Sequence, residues 1–486
     1  MSRAEARRDG PWLAVLLIIV IAFKAWLVEL AGLDLHFDEA QYWEWAQQLD
    51  WSYYSKGPLI AWLIALSESL FGHGEWQVRL AAWLAHAVFI GLIFALTCEV
   101  FQNRAAAWWA VAMALTTPLF FTLGLVMTTD VLLLVFWTWG LWAAYRALLR
   151  ESSSAWYEFG AAVGLGVLTK LSIVLLPVLV GLAVLVTPRW RKHLKNVHAW
   201  GGLLLLVLFM SPVIYWNALH DWPMFRHELG HVSTSGWSFT QVLEFIGGQT
   251  LVLSPIILLL AIATLWRIPI IEGERFLWLL SLALISFFVV KALGGKVQLN
   301  WPAVSYIGFV VLFAGAITQF TKTKRRLFYA GLISSVVLMG VAYFPYALGL
   351  SVAQDPFKKM RAWSAPIQQL STQAPQADFI LTPSYTHAGE LAFYWPHPVP
   401  VYVAGDATRR FNQHDLWPGI EREAGRTGLY VSTTPDQPAQ LAQAFKRCTP
   451  LPPVMAHAPD GAVLRTLYAS LCEDYRHVEW PKPLTY

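Results

Sequence analysis

The stretch PWLAVLLIIVIAFKAWLVELAG, residues 11–32, is apolar along nearly its whole length. It has the roughly 20 residues that an α-helix needs to cross the hydrocarbon core of a bilayer. It is too long for the apolar part of a signal peptide and shows no small-residue cleavage site, so we expect it to be retained. The chain of 486 residues is 56% hydrophobic and 14% charged. A soluble protein of this length could not bury so much apolar surface, which predicts a membrane protein.

Further apolar segments follow the first one, and their spacing predicts a mainly α, polytopic fold with about 11–13 transmembrane helices. The eleven candidate spans lie at about 12–31, 78–100, 105–125, 130–148, 157–170, 171–187, 199–218, 241–266, 275–293, 303–320 and 327–350. The prolines inside them are expected to kink helices. Lys24, in the first span, is expected to extend its ammonium group toward the lipid headgroups.

The lysines and arginines of the connecting loops predict the orientation. Alternating the spans gives one set of loops with sixteen lysines and arginines, which includes the N-terminal tail, and an opposite set with six. The positive-inside rule assigns the richer set to the cytoplasm. The N-terminus is then cytoplasmic, and an odd number of spans puts everything after residue 350 outside. We therefore expect a multi-pass protein of the bacterial inner membrane.

The last part of the chain, residues 355–486, differs in character from the membrane domain at 1–354. Short apolar runs (DFILT, VPVYVAG, GLYVS) alternate with the helix-like stretches SYTHAGELAFYW and QPAQLAQAFKRC. This alternation predicts a small periplasmic α/β domain. Cys448 and Cys472 lie in it, and an oxidising compartment would allow a disulfide between them, although both could also stay reduced and buried.

The loop after the first span, residues 32–77, contains HFDEAQYWEWAQQLDWSYYSKGPLIAWL at 36–63. From Glu39 to Asp50, apolar residues recur at helical spacing and polar residues fill the other face. The pattern predicts an amphipathic helix, and its tryptophans favour the headgroup layer. Asp38 and Glu39 stand at its N-terminus, where the helix dipole stabilises carboxylates, so a capping role is the simplest interpretation of Glu39.

Capping does not explain the other ionisable groups that the topology brings to the same surface. Asp130 opens the fourth span, Lys170 lies in the turn between spans five and six, and Lys291 and Lys296 close the ninth. Ionisable groups at a membrane boundary are costly and usually functional. Carboxylates can act as bases or orienting groups, and lysines can hold a phosphate. The combination points to chemistry on a phosphate-bearing lipid.

The order of these motifs resembles that of the GT-C glycosyltransferases of family 39, in the bacterial branch of the aminoarabinose transferase for lipid A and the protein O-mannosyltransferases. The resemblance covers nearly the whole chain. It is carried by FDEAQYW, YYSKGPLIAWL, the Thr-Thr-Asp that ends at Asp130, GVLTK, which ends at Lys170, and KVQLNWP, which starts at Lys296. Two segments of the outer domain, SYTHAGELAFYW and RRFNQHDLWPG, are similar as well.

The resemblance implies an inverting glycosyltransferase, which moves a sugar from a polyprenyl-phosphate monosaccharide to a lipid, glycan or protein acceptor. Asp38 would bind or deprotonate the acceptor, with Glu39 beside it, and Asp130 would be the second catalytic carboxylate. Lys56 would hold the donor phosphate. The family has Lys-Pro-Pro where this chain has Lys-Gly-Pro, which we expect to loosen the turn, and Ser55 stands where the aminoarabinose enzyme has Glu.

Further candidates rest on weaker signals. Lys296, Lys170 and Arg226 are candidate ligands of the donor phosphate, although the lysines could instead extend toward headgroups. Tyr42, Tyr54, His231 and Asn300 are candidate contacts of substrate or acceptor, although Asn300 is more simply the start of the tenth span.

The loop at 220–237 contains HELGH, which matches a zinc-binding pattern in which His227 and His231 would be ligands and Glu228 a base. Gly230 weakens the helix that this pattern needs, and no third ligand is near. A structural or acceptor-contacting role is therefore favoured. No metal ligand is assigned and no cofactor is certain, although a divalent metal stays possible in principle.

Two other functions fit a polytopic chain. A lipid or sugar transporter would carry charges near the midplane and internal repeats, and neither is seen here. An oligosaccharide ligase with a diphosphate-linked donor should have outer loops richer in arginine. No basic run is interleaved with exposed aromatic residues, so nucleic acid is not an expected partner. The sequence does not identify the sugar or the acceptor.

Overall fold

The structure is a computed structural model that describes residues 3–230, 237–266, 272–405, 409–481 and 483. Helices coincide with all eleven predicted spans, and further helices occupy the loops. The helices are α1 (Arg3–Ala31), α2 (Phe37–Ala46), α3 (Leu59–Phe71), α4 (Glu75–Phe101), α5 (Arg104–Thr116), α6 (Pro118–Leu123), α7 (Thr129–Leu149), α8 (Ser154–Val167), α9 (Leu175–Val186), α10 (Val197–Leu219), α11 (Pro223–Gly230), α12 (Phe239–Val252), α13 (Pro255–Leu265), α14 (Glu272–Gly294), α15 (Tyr306–Ile317), α16 (Lys322–Tyr343), α17 (Ser364–Gln373), α18 (Tyr385–Tyr394) and α19 (Leu441–Ala444).

Among the described residues, six helices are long and apolar enough to cross a membrane singly, and two bent pairs of helices raise that number to eight. Other predicted spans are shorter helices: α5, α8 and α15 have 13, 14 and 12 residues. The mainly α, polytopic fold with a small C-terminal α/β domain is confirmed.

Two predicted spans are each two helices. The span at 105–125 breaks before Pro118, which begins α6 after an extended Thr117. The span at 241–266 is α12 and α13, which meet at 100°. The cause is local: Ser254 has a φ of 70° and Pro255 supplies no backbone N–H, so the first helix cannot continue. The buried hydroxyl of Ser254 donates to the carbonyl of Gly331 on α16 and so fixes the elbow.

Small residues and one buried lysine hold the bundle together. α8 crosses α10 so closely that a Cβ on Gly160 would lie 1.9 Å from the carbonyl oxygen of Gly202. Such crossings are typical of helix pairs in membranes, where backbones approach through small residues. Lys24 does not extend to the headgroups as predicted: it is fully buried, and its Nζ contacts Nδ1 of His86 at 2.8 Å and donates to the carbonyl of Gly124. Polar partners on neighbouring segments explain why it stays inside.

The polar face that the sequence predicted for α2 is not fully open to water. Tyr42 and Trp45 are buried, but so are Gln41 and Glu44 on the predicted polar face. The reason is a helix from the far end of the chain: α18 lies across α2, and a Cβ on its Gly389 would meet the backbone of Ala40 at 2.7 Å. The predicted capping role is confirmed, because Glu39 accepts from the backbone N–H of the N-cap residue His36.

A buried ion pair joins the first loop to the bundle. The guanidinium of Arg79, on α4, donates to both carboxylate oxygens of Glu39, with a shortest distance of 3.0 Å, and both side chains are fully buried. Arg79 also donates to the carbonyls of Leu33 and Asp34. Glu39 in turn accepts from the backbone N–H of Met127 at 2.8 Å. One guanidinium thus fixes the end of α1, the start of α2 and the segment before α7.

The C-terminal domain is built on a mixed sheet with the strand order β2-β1-β3-β6-β4, and β5 pairs with β6. The strands are β1 (Phe379–Thr382), β2 (Val401–Val403), β3 (Gly428–Ser432), β4 (Phe445–Pro450), β5 (Val454–His457) and β6 (Val463–Tyr475). β1 is parallel to both of its neighbours, and β6 is antiparallel to β3 and β4. One hydrophobic core runs from this sheet and α18 into α2 and α3, for example through Leu391, Ile380 and Trp45.

The predicted helix QPAQLAQAFKRC is wrong for most of its length. Only Leu441–Ala444 is helical, and the chain then enters β4. Pairing with the long strand β6 overrides the helical propensity of this stretch. The pairing sets Cys448 opposite Cys472, and the two form a disulfide. This settles the alternative that the sequence left open.

Replacing both Cys448 and Cys472 by serine should lower the stability of the C-terminal domain. A disulfide restricts the unfolded chain, and one that closes a loop of this size contributes about 2–4 kcal/mol. We expect faster cleavage of the domain by protease and a lower unfolding temperature, with helical content unchanged in circular dichroism. If protease cleaves the double variant and the wild type at the same rate, this expectation is contradicted.

Replacing Arg79 by methionine should destabilise the protein strongly. The change leaves the carboxylate of Glu39 buried without its cation, which costs about 3–5 kcal/mol. The double variant Arg79→Met with Glu39→Gln removes the uncompensated charge and should recover part of the loss. Thermal unfolding followed by tryptophan fluorescence compares the two. Equal loss in the single and double variants would show that the charge pair is not the cause.

Candidate active site

Asp38 occupies the first turn of α2 and is partly accessible. Protein atoms surround it, yet 37% of its side chain stays accessible. Its charged neighbours are His36, whose Nδ1 lies 3.5 Å from Oδ2, together with Lys56, Asp130 and Lys170. Burial raises the pKa of Asp38, although His36 and the two lysines act in the opposite direction. The residues that the sequence predicted to converge here do so.

Asp130 begins α7 and is held by two donors. Lys170 Nζ donates to Oδ1 at 2.8 Å, and Asn300 Nδ2 donates to Oδ2 at 2.9 Å. Lys170 comes from the turn after α8, and Asn300 precedes a short 3-10 helix, Trp301–Ser305. Asn300 is therefore more than the start of a span, which was the simpler interpretation. Asp130 is 7% exposed, so its two oxygens are largely occupied by the protein.

Lys56 is carried by a tight turn, and the expectation that Gly57 loosens this turn is wrong. A Cβ on Gly57 would lie 2.3 Å from the carbonyl oxygen of Leu168, and that same oxygen accepts from the N–H of Leu59 at 2.9 Å. The backbone N–H of Tyr53 donates to the carbonyl of Lys56 at 3.0 Å. Glycine thus allows the turn to pack against the segment that carries Lys170, two residues after Leu168.

Lys56 pairs with Glu228, which sequence analysis considered only as a metal-site base. The distance from Nζ to Oε1 is 3.3 Å, and Glu228 lies on α11. Burial alone would raise the pKa of Glu228, but Lys56 and Lys170 hold it below its usual range. His227 is buried against the ring of Tyr54, and His231 lies outside the described residues. Within the described ranges, no three His, Cys, Asp or Glu side chains are grouped to hold a metal ion.

The C-terminal domain also contributes to the site, and sequence analysis did not assign these residues. The side chain of Gln413 accepts from the backbone N–H of Tyr54 at 2.9 Å. Tyr385, at the start of α18, interacts electrostatically with Asp38 and with Arg410. Both segments belong to motifs that carried the family resemblance. Single residues within them could not be chosen, because their proximity to Asp38 depends on how the domain docks.

The remaining predicted residues divide into near and distant ones. Tyr42 is buried beside Asp38 and Asp130. Glu39 is next to the site in sequence, but its carboxylate is taken up by Arg79 and two backbone N–H groups. Lys296 is exposed on the segment before Asn300, and Arg226 is exposed on α11. Lys296 forms no ion pair with a described residue.

The arrangement has a clear division of chemical roles. Asp38 has an accessible carboxylate with a raised pKa, which suits a group that accepts a proton. Lys56 is 16% exposed in a long ion pair, so an incoming anion can compete with Glu228 for it. Asp130, Lys170 and Asn300 form a saturated cluster. Such a site can bind an anionic group next to a nucleophile that must lose a proton.

Known proteins with similar sequences are glycosyltransferases. The family described as dolichyl-phosphate-mannose-protein mannosyltransferase matches residues 55–216. The chain is 28% identical to the lipid A galacturonosyltransferase RgtD of Rhizobium johnstonii, over 78% of this chain and 82% of that one. It is 30% identical to the undecaprenyl phosphate-alpha-4-amino-4-deoxy-L-arabinose arabinosyl transferase of Pectobacterium carotovorum, but this match spans 35% of the chain and only 31% of that relative.

Among solved structures, ArnT from Cupriavidus metallidurans has the same fold. Its apo form superposes with a TM-score of 0.67 at 18% identity, covering 96% of this chain and 98% of that one. Its form bound to undecaprenyl phosphate gives a TM-score of 0.64 over 95% and 98% of the two chains. The sequence matches and the shared architecture lead to one family. The chain is a multi-pass membrane glycosyltransferase that resembles the GT-C enzymes of the ArnT and protein mannosyltransferase type in sequence and in fold.

Proposed function

We propose that this protein transfers a sugar from a polyprenyl-phosphate monosaccharide to a lipid acceptor at the outer face of the bacterial inner membrane. The observation that carries the proposal is that Asp38, Lys56 and the Asp130–Lys170 pair lie close enough to interact electrostatically. The names of two relatives support the class of substrate, because one is a lipid A galacturonosyltransferase and another uses an undecaprenyl-phosphate sugar. The particular sugar is not assigned.

In this proposal Asp38 acts on the acceptor. An acceptor hydroxyl attacks the anomeric carbon as its proton passes to Asp38, and the bond from that carbon to the phosphate oxygen breaks. The bonding electrons leave with the polyprenyl phosphate, and attack from the opposite face inverts the anomeric centre. If the acceptor group is itself a phosphate, no proton needs to be removed and Asp38 orients the attacking oxygen.

Lys56 binds the donor phosphate in place of Glu228. Its positive charge stabilises the negative charge that grows on the phosphate as the sugar leaves. Lys170 and Asn300 hold Asp130 in place, so Asp130 is a positioning residue in this proposal. Glu39 has the same kind of role, because its carboxylate is fully engaged by Arg79 and the backbone.

An apolar groove of about 380 Å³ offers a place for the isoprenoid chain of the donor. It runs along α13, α14 and α15. In its lining, the hydroxyl of Tyr306 donates a hydrogen bond to the side-chain oxygen of Gln249. Gln249 also donates to the carbonyl of Leu299, the residue before Asn300. The groove therefore adjoins the segment that holds Asp130. A lipid chain lying in it would have its phosphate near the site.

Replacing Asp38 by asparagine should reduce transfer by about 10²–10⁴-fold, the usual contribution of a general base. The assay uses purified protein in nanodiscs with radiolabelled undecaprenyl-phosphate sugars and lipid A. The matched control is Asp221→Asn, an exposed aspartate with a φ of 61°, a conformation that asparagine tolerates well. It should keep full activity.

Full transfer activity in the Asp38→Asn variant would remove the assignment of Asp38. The donor panel should include galacturonosyl, aminoarabinosyl and mannosyl carriers, together with a diphosphate-linked sugar. Transfer from the diphosphate carrier alone would contradict a monophosphate donor and favour a ligase. Movement of labelled lipid between leaflets with no transfer from any carrier would favour a transporter.

The rate of transfer to an acceptor hydroxyl should fall on the acid side of the pH profile, and the fall should lie above the ordinary aspartate pKa of about 3.9. Burial raises the pKa of Asp38, and the residue works as a base only when it is deprotonated, so activity is lost as the pH drops through that pKa. Lys56→Ala removes a cation that holds this pKa down, so the acid limb should move to higher pH. The readout is the pH profile of kcat/KM for wild type and variant. A limb that stays in place or moves to lower pH would contradict the coupling.

A further inference from the structure

A second cavity, of about 1250 Å³, lies on the other side of α2 from Asp38. We call it the aromatic cleft. Its walls come from α2, from the loop after α3 and from the C-terminal domain, and the residues used here are Trp43, Gln47, His73, His397, Trp417 and Trp480. Asp38 and Tyr42 point toward the active site, whereas Trp43, Glu44 and Gln47 line the cleft. One short helix thus separates the active site from the cleft.

The lining of the cleft alternates ring faces with hydrogen-bonding groups. Trp43, Trp417 and Trp480 supply rings, and Gln47 and His397 supply amide and imidazole groups on exposed side chains. Flat apolar rings beside amide and carboxylate groups suit sugars, whose rings have an apolar face and a rim of hydroxyls. A lipid tail would cover these polar groups and remove them from water without offering hydrogen bonds of its own, which is unfavourable.

Three of the basic side chains that line the cleft are engaged by carboxylates. Arg409 pairs with Asp415 at 2.6 Å, and the ring nitrogens of His414 and His73 lie 3.2 Å and 3.0 Å from carboxylate oxygens of Glu44 and Glu68. Because these basic groups already have acidic partners, they offer little attraction to an added anion. A neutral, hydroxyl-rich ligand needs no free charge.

The size of the cleft indicates more than one sugar ring. Pockets for small molecules usually measure about 300–1,000 Å³, and this cleft exceeds that range. Along α2, Gln47 lies nine residues after Asp38, which corresponds to about 14 Å at the rise of an α-helix. A bound oligosaccharide could therefore belong to the same molecule as the group that Asp38 serves.

We propose that the aromatic cleft binds a neutral oligosaccharide, namely the glycan part of a glycosylated lipid acceptor. The cleft would grip the acceptor through sugars that are remote from its reacting group. It would thereby favour acceptors that already carry sugars. The assignment of the glycan to the acceptor rests on the proposed function. The binding of an oligosaccharide by the cleft does not.

Binding is tested by saturation-transfer NMR with the full chain in nanodiscs. The probe is the core oligosaccharide released from lipopolysaccharide by mild acid, dephosphorylated and carboxyl-reduced so that it carries no charge. We expect signal transfer to the sugar protons, and a loss of affinity of about fivefold or more in Trp417→Ala and in Gln47→Ala. Gln47 is exposed, so its variant should fold. The matched control is Trp12→Ala, a lipid-facing tryptophan of α1 that is 70% exposed. It should bind like wild type.

Transfer is measured in parallel with two acceptors, lipid A with its core oligosaccharide and lipid A alone. The two cleft variants should raise KM for the glycosylated acceptor and leave lipid A alone unchanged. Wild type that does not bind the oligosaccharide, or that binds it with unchanged affinity in both variants, overturns the cleft proposal. Tighter binding of a proline-rich peptide than of the oligosaccharide in the same binding assay overturns it as well. If the oligosaccharide binds but neither acceptor receives a sugar, the proposal for the cleft is supported and the proposed function is contradicted.

Discussion

The guanidinium of Arg79 is the point on which the geometry of the active site depends. It pairs with Glu39, the neighbour of Asp38, and Glu39 holds the N–H of Met127, three residues before Asp130. The separation of the two site carboxylates is therefore set by a fully buried contact that substrate does not touch. A buried ion pair adds little net stability over an apolar pair of the same shape, but it has strict geometric demands. Here the ion pair orients the segments that carry Asp38 and Asp130.

The two aspartates of the site differ in their surroundings. Asp130 is bound by a lysine and an amide, and Asp38 keeps accessible oxygens with only a histidine at 3.5 Å. A carboxylate that is saturated by donors is a poor base, whereas one that is desolvated and accessible is a better one. Environment, and not residue type, assigns the two roles in the proposed reaction.

The sequence predicted those features that depend on local patterns. Hydrophobic length gave the spans, the alternation of short runs gave β1, β2 and β3, and the loop order brought Asp38, Lys56, Asp130 and Lys170 together. Features that depend on distant partners were missed.

The burial of α2 requires α18, which is more than 300 residues away, and the contact of Gly57 with Leu168 joins two loops. The pairing of Glu228 with Lys56 could not be read from HELGH, because the motif alone does not say what its glutamate faces. The bend between α12 and α13 depends on the positive φ of Ser254, which a hydropathy pattern does not encode.

The shared core of the first loop and the C-terminal domain has a consequence for how the chain can be divided. Ala40 lies under Gly389, and Trp45 belongs to the same cluster as Leu391. Truncation after the last span would expose tyrosine and tryptophan side chains of α2 to water and release the helix that bears Asp38. The domain expressed alone would expose the matching face of α18 and tend to aggregate. Because the two parts share one core, domain exchange between relatives would have to carry the first loop along with the C-terminal domain.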